Sequence, residues 1–284
     1  MSPYILALLA AFSFALGTVL QQRGTLQTSA REGDPRFLLE IIRKPVWLLG
    51  GSLQVCGWVL QALALERGSL VVVQSLSTLS LVFALPLGGR LTGQYVGRRS
   101  IVGALCTLMG IVAFLVLGQP QSGTSQPEAS TWWTAGIVII AAMLLLAWLA
   151  QRRRGAMAAT LFAAAAGISY GFQAAVTKVF VTQLGGGLGA ILTSWTPYAL
   201  VASALIGFAL LQSALKTGYL APAMAASNAA TLTTSVFLGL TLFQETLARD
   251  PGHLPPSLFG LALAILGVVL LAYPESRQVE EMGR

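Results

Sequence analysis

Residues 132–154, WWTAGIVIIAAMLLLAWLAQRRR, constrain this chain more than any other stretch. The 19 residues from Trp132 to Ala150 carry no charge. At 1.5 Å per residue they are long enough to cross a hydrocarbon core of ~30 Å. Two tryptophans sit at one end and three arginines at the other, an interfacial anchor and a cytoplasmic stop. The chain before this stretch and the chain after it read as two copies of one pattern. A single span between two copies turns the second upside down.

Composition agrees with a chain made of such spans. Of 284 residues, 55% are hydrophobic and 10% charged, against about 25% charged in a soluble domain. Apolar runs of span length recur throughout, which makes this a polytopic protein whose main partner is the lipid bilayer. The net charge of +7 belongs to cytoplasmic loops rich in Lys and Arg, so no nucleic-acid partner is expected. Cys56 and Cys106 both fall inside apolar spans and read as unpaired thiols. The first 24 residues lack a basic leader region and read as the first span rather than a cleaved signal.

Nine spans fit, at about 3–21, 46–65, 69–88, 99–118, 132–150, 156–179, 195–214, 219–243 and 256–273. Alternating the loops between two sides sorts the cations unevenly. One side holds 14: Arg23, Arg31, Arg36, Arg43, Lys44, Arg90, Arg98, Arg99, Arg152, Arg153, Arg154, Lys216, Arg277 and Arg284. The other holds 3: Arg67, Lys178 and Arg249. The richer side is expected to be cytoplasmic. This predicts a multi-pass protein of a bacterial inner membrane, N-terminus outside and C-terminus inside.

The repeat is visible residue by residue. Span four reads Ser100-Ile-Val-Gly103, six residues, then Gly110-Ile-Val; span nine reads Ser257-Leu-Phe-Gly260, six residues, then Gly267-Val-Val. Span two runs from Trp47 to ALERGSL and span seven from Trp195 to ALKTGYL. Each is followed, after Gly68 or Gly218, by a span rich in Ser and Thr. The expected organisation is a first repeat at 1–118, a linker and joining span at 119–155, and a second, inverted repeat at 156–284. Inverted repeats of this kind are a signature of secondary transporters, with the substrate site between the halves near the midplane.

All ten acids (Glu32, Asp34, Glu40, Glu66, Glu128, Glu245, Asp250, Glu275, Glu280 and Glu281) fall in loops or at span ends. Intramembrane carboxylates are the usual proton relays and cation ligands. A midplane site here is left with amides, hydroxyls, carbonyls and aromatics. The candidates are Gln54 and Gln61 on span two, and Gln74, Ser75, Ser77 and Thr78 on span three. Tyr170 and Gln173 on span six, with Ser227, Asn228 and Thr231 on span eight, complete the set. By spacing, Gln74, Thr78 and Leu81 share one helix face, as do Asn228, Thr231 and Thr234. Interhelical hydrogen bonding is the plainer role for such groups. Arg23 and Lys178 close the paired first helices of the two copies, as snorkelling cations or as gate cations at opposite mouths. Glu66 and Glu245 fall on the outer side, as solvated loop acids or as an external cation-capture site. His253 reads as a loop histidine. Ala159, Ala163, Gly167, Gly171 and Ala175 give span six a stripe of small residues suited to close helix approach.

Some of these segments resemble a known family. Gln21-Gln22-Arg23-Gly24-Thr25-Leu26 closes the first span. Ala62-Leu63-Ala64-Leu65 leads through Ser69-Leu70-Val71 to Leu85-Pro86-Leu87, and Phe243-Gln244-Glu245-Thr246-Leu247 closes the penultimate span. In these the chain resembles the drug/metabolite transporter superfamily, closer to its NIPA-like magnesium branch than to its ten-span EamA-like branch. Gly88-Gly89-Arg90-Leu91 departs from the pattern by lacking the acid, and each half is one span short. The Gly-rich segment 183–191 is where a remnant of a missing span would lie, re-entrant or not. The resemblance implies transport, and its branch implies Mg²⁺.

The expectation is an all-α polytopic protein of nine helices, two inverted four-helix repeats about one linking helix, working by alternating access. It is expected to be no enzyme and to need no cofactor. The polar groups of the spans favour a small polar metabolite or zwitterion; the branch favours Mg²⁺, with no metal ligands assignable. A homodimer is compatible with the pattern. A non-transporting membrane subunit or lipid-handling protein is the alternative of a different class.

Overall fold

The computed structural model describes residues 2–26, 44–93, 97–124, 126–215, 217, 220–247 and 251–272. Several residues of the charge count lie outside these: Arg31, Arg36, Arg43, Lys216, Arg249, Arg277 and Arg284, with Glu32, Asp34, Glu40, Asp250, Glu275, Glu280 and Glu281. Gly218 does too.

A chain in hydrocarbon must satisfy its backbone internally, and helices do this within one segment. Among the described residues, nine helical segments are long and apolar enough to cross a membrane. They are α1 (Pro3–Leu26), α2 (Pro45–Arg67), a pair made of α3 (Leu70–Ser77) and α4 (Ser80–Thr92), then α5 (Arg98–Gly118) and α6 (Ala129–Gln151). After these come α7 (Gly155–Gln183), the short α8 (Gly187–Thr193), α9 (Thr196–Leu215), α10 (Leu220–Thr241) and α11 (Leu254–Ala272). The nine expected spans are all present, with ends moved by a few residues.

Two details add to the expected spans, and the second departs from them. Segment 183–191 does not become a tenth span. It forms a single 3-10 turn, Leu184–Gly186, and then α8. Span three is not one helix. Ser77 and Thr78 turn their hydroxyls back onto the carbonyls of Val73 and Gln74, which competes with the backbone ladder. The Leu79 N–H then goes to Leu76 and the Leu81 N–H to Thr78, so the carbonyls of Ser75 and Ser77 lose their usual donors. The register that was to put Gln74, Thr78 and Leu81 on one face ends at this break.

The ends of the helices gather at two poles. At one, Gly68 meets Pro3, Gly118 meets Ser257, and Trp132 meets Trp195; this is the Pro3 end. At the other, Gly24 lies on Trp47 and Gly103 on Leu271. The exposed Arg23, Arg98, Arg99 and Arg152 to Arg154 belong to that second end.

Packing pairs the helices in a regular way. α1 lies along α2 and against α3 and α4; α7 lies along α9 and α10, with α6 on its flank. α5 and α11 pack mainly on each other, α3 meets α10, and α2 meets α7. In lipid such contacts depend on close backbone approach, which small residues permit. Gly17 and Gly50 hold α1 against α2. A Cβ on either would come within 2.8 Å of the other's carbonyl oxygen. The stripe on α7 is buried and faces α10, where a Cβ on Gly171 would come 2.7 Å from Thr234 Cβ.

A close approach also joins α5 and α11. Gly103 faces Gly267 and Gly110 faces Gly260. A Cβ on Gly267 would lie 2.6 Å from the Gly103 oxygen, and one on Gly110 2.6 Å from the Gly260 oxygen. These are the four glycines that the sequence repeat aligns.

Candidate functional site: a buried ion pair at the Pro3 end

The loop after α10 carries the main surprise. α10 stops at Thr241, and the chain turns back at once. The N–H groups of Leu242 and Phe243 both bond the Leu238 carbonyl, and that of Glu245 bonds Gly239 at 2.9 Å. Gln244 takes φ 53°, a left-handed conformation uncommon outside glycine. This tight return aims Glu245 inward rather than into solvent. Gly239 makes room for it, since a Cβ there would fall 2.8 Å from Glu245 Oε2 and 2.6 Å from Val71 Cγ2.

The carboxylate lands at the start of α3. The Leu70 N–H donates to Oε1 at 2.5 Å and the Val71 N–H to Oε2 at 2.9 Å. Ser69 Oγ accepts from the Val72 N–H at 3.0 Å, and the Val73 N–H reaches the Ser69 carbonyl. All four leading N–H groups of α3 are thereby satisfied. A carboxylate in this position also lies at the favourable end of the helix dipole.

Lys178, on α7, completes the centre. Its Nζ donates to Glu245 Oε1 at 2.6 Å. The side chains are 6% and 0% exposed. Nζ also lies 4.7 Å from the centroid of the Phe243 ring, a cation–π contact. Phe243 packs edge-on to Trp132 at 6.3 Å, and Trp132 in turn touches Trp195 and Phe172. An aromatic cover therefore closes over the pair. The linker crosses the same loop: Gln121 and Thr246 exchange backbone hydrogen bonds, and the Thr124 N–H donates to Phe243 at 2.8 Å. Gly123 fits there because a Cβ would strike the Phe243 and Gln244 carbonyls.

Two sequence-derived roles are corrected by this arrangement. Lys178 is not a gate cation at a mouth, because its charge is buried and neutralised. Glu245 is neither a solvated loop acid nor an open cation-capture site. The separation of 67 residues and the fold-back at Gln244 hid the pairing. The available signal was that Glu245 follows the apolar span within two residues of Phe243 and is itself followed by Leu247. Glu66 and Arg23 are exposed; Glu66 lies 3.9 Å from Arg67, with both side chains open to solvent.

The amide and hydroxyl candidates are spread over several helix contacts. Gln54 Nε2 donates to Thr18 Oγ1 at 2.8 Å, tying α2 to α1, and Gln61 Nε2 reaches Ser77 Oγ at 3.4 Å beside the break. Tyr170 packs its ring on Gly207 of α9. Thr231 donates to the Ser227 and Gly167 carbonyls, so the Asn228–Thr231–Thr234 face is largely the α7–α10 contact. Asn228 Nδ2 bonds the Met224 carbonyl of its own helix. Gln173 is half-buried on α7, its carbonyl taken by the Thr177 hydroxyl. Gln74 is 5% exposed, on α3 one turn after Leu70. Ser75 Oγ and Ser235 Oγ are fully enclosed without a hydrogen-bond partner among the described residues. Among the described residues no three His, Cys, Asp or Glu side chains gather as metal ligands, and both cysteines are free. Cavities of about 250 and 200 Å³ open at the Pro3 end, one beside Tyr4, Gln119 and Gln121, the other beside Thr131, Thr134 and Phe237. Neither is lined by the candidates named above.

No family model and no solved structure matches the chain. The chain is similar to an uncharacterized protein of Corynebacterium glutamicum, 30% identical over 247 residues, which cover 85% of this chain and 84% of the relative. At that identity over most of both lengths, the chain belongs to the same family as this corynebacterial protein.

Proposed function

We propose that the protein is a secondary transporter of the drug/metabolite type, moving a small polar solute across a bacterial inner membrane by alternating access. Its two four-helix copies, 1–118 and 156–284, are inverted about the joining helix α6. The N-terminus lies outside, so that the Pro3 end faces out and the arginine-rich end faces the cytoplasm. The observation that carries this reading is the α5–α11 contact. The repeat matches Gly103 with Gly260 and Gly110 with Gly267, and the contacts run crosswise, Gly103 to Gly267 and Gly110 to Gly260, the exchange of partners that a two-fold relation between equivalent elements produces. Within each copy the first helix also packs on the second and third. Two like halves of this kind exchange conformations around a site between them.

An organic solute is favoured over Mg²⁺. Among the described residues, the one acid that enters the helical bundle, Glu245, already holds Lys178 and two backbone N–H groups. Mg²⁺ is usually held by carboxylates with several retained waters, and the groups near the break at Thr78 are amides, hydroxyls and carbonyls.

Flux into proteoliposomes tests the proposal. Purified protein is reconstituted with an internal Mg²⁺ indicator and, in parallel, with labelled polar metabolites. Saturable entry of an organic solute above empty liposomes is expected, with no Mg²⁺ entry. Saturable Mg²⁺ entry would assign the cargo to the magnesium branch instead. Absence of flux for every solute, from protein shown to be folded, would overturn the transport reading.

A further inference from the structure

We infer that the contact between α3 and α10 holds a sodium site, built on the hydroxyls of Ser75 and Ser235. Both side chains are 0% exposed, and neither Oγ has a hydrogen-bond partner among the described residues. Neighbouring hydroxyls behave otherwise. Ser77, Thr78, Thr107, Thr177 and Thr231 all return theirs to the carbonyl four residues back. A helical serine has the same bond within reach, and Ser75 and Ser235 leave it unmade. The register places the two together. α3 meets α10 at Val71 and Gly239, where a Cβ on the glycine would lie 2.6 Å from Val71 Cγ2. Ser75 stands one turn after Val71, and Ser235 one turn before Gly239. α3 starts at the Pro3 end and α10 finishes there, so the helices run oppositely. Both serines therefore lie one turn deeper than that contact, on the facing sides of the two helices.

The break in span three adds a further oxygen. The Leu79 N–H goes to Leu76, which frees the Ser75 carbonyl beside its own hydroxyl. Carbonyls released where a membrane helix is interrupted are a recurrent means of coordinating Na⁺. Hydroxyl and carbonyl oxygens without a carboxylate suit a singly charged cation. Mg²⁺ is held by carboxylates in a near-octahedral set, and Glu245, one turn nearer the Pro3 end, is already taken by Lys178 and α3. Neither α3 nor α10 carries an acid or a histidine, so a transferred proton has no carrier at this contact. The two serines belong to different copies. Parting the copies separates the ligands, so sodium occupancy biases the two states. That use as a coupling site rests on the transport reading; the site itself does not.

Thermal unfolding in detergent tests the site, with choline chloride replaced stepwise by sodium chloride at constant ionic strength. Wild type is expected to melt roughly 5 °C higher in saturating sodium than in choline. Ser75→Ala/Ser235→Ala should melt in choline no earlier than wild type, since it removes two unpartnered hydroxyls, and should gain nothing from sodium. Each single alanine variant should weaken sodium binding about tenfold, and carries the comparison if the double variant does not fold. No sodium shift, the result expected of an ordered water alone, overturns the site. So does a shift that survives unchanged in the alanine variants. In proteoliposomes an inward sodium gradient should speed solute entry by wild type and not by the double variant. Solute flux indifferent to the gradient overturns the coupling role while the melting result upholds the site. Absence of all flux overturns transport itself.

Discussion

Lys178→Met is expected to destabilise the folded protein by about 3–5 kcal/mol, the usual cost of leaving one member of a buried pair uncompensated. The stranded group is the Glu245 carboxylate, which is 0% exposed and has Gly239 and Val71 against it. Glu245→Gln should cost a comparable amount, since it strands the buried Lys178 ammonium and leaves one amide oxygen where two carboxylate oxygens accepted three donors. The double variant Lys178→Met/Glu245→Gln should recover most of the loss, because no bare charge remains and methionine fills the aliphatic path of the lysine. Detergent melting curves of the two single variants and the double form a cycle that isolates the coupling. Additive losses would mean that the two charges do not act as a pair. A Lys178→Met protein as stable as wild type would mean that this centre is wetter than its burial implies.

Gly267→Leu is the second large effect. The added side chain meets the backbone of Thr107 and Gly103, which has no rotamer to yield, so α5 and α11 must separate. Overpacking of this kind costs about 1–3 kcal/mol and sometimes more. The upper part of that range applies here because the obstacle is main chain. Gly110→Leu, against Ala264 and Gly260, should behave alike. Gly136→Leu is the control: nothing lies within 4 Å of a Cβ there, and its melting curve should match wild type within about 0.5 kcal/mol. Equal losses at positions 136 and 267 would point to a general intolerance of bulk rather than a glycine contact.

These two expectations also mark what was legible in the sequence. Span number and order were, because about 20 apolar residues are a physical requirement for crossing lipid. The glycine contact was half legible. Gly-x6-Gly in spans four and nine stood out as a repeat, but that the two patterns would pack on each other is a tertiary fact. The break after Ser77 was hidden because hydrophobicity continues through it; the dense hydroxyls of 75–80 were the local sign. Lys178 and Glu245 each stand at the end of a span, where the sequence reads Lys178 as a snorkelling or gate cation and Glu245 as a solvated or cation-capturing acid, and neither reading pairs them. What no local pattern conveys is that Gln244 reverses the chain and returns the carboxylate to the start of α3. Glu66, on the same side by the same count, lies in solvent with Arg67, so position relative to a span does not separate the two acids. The polar candidates followed the same rule. Gln54 and Thr231 were picked out as mid-span polar groups, and each is used to hold one helix against another.

The most direct measurement of the central claim, two halves that exchange around a site between them, is two-sided labelling at position 74. Gln74→Cys is made in a background lacking Cys56 and Cys106, and reconstituted vesicles receive a membrane-impermeant maleimide from one side or the other. Position 74 is buried beside the break in span three, so it reacts only when an end opens. Alternating access predicts labelling from both sides, each at its own rate, with the balance changed by the transported solute. Reaction from neither side, or from one side alone under every condition, would contradict it.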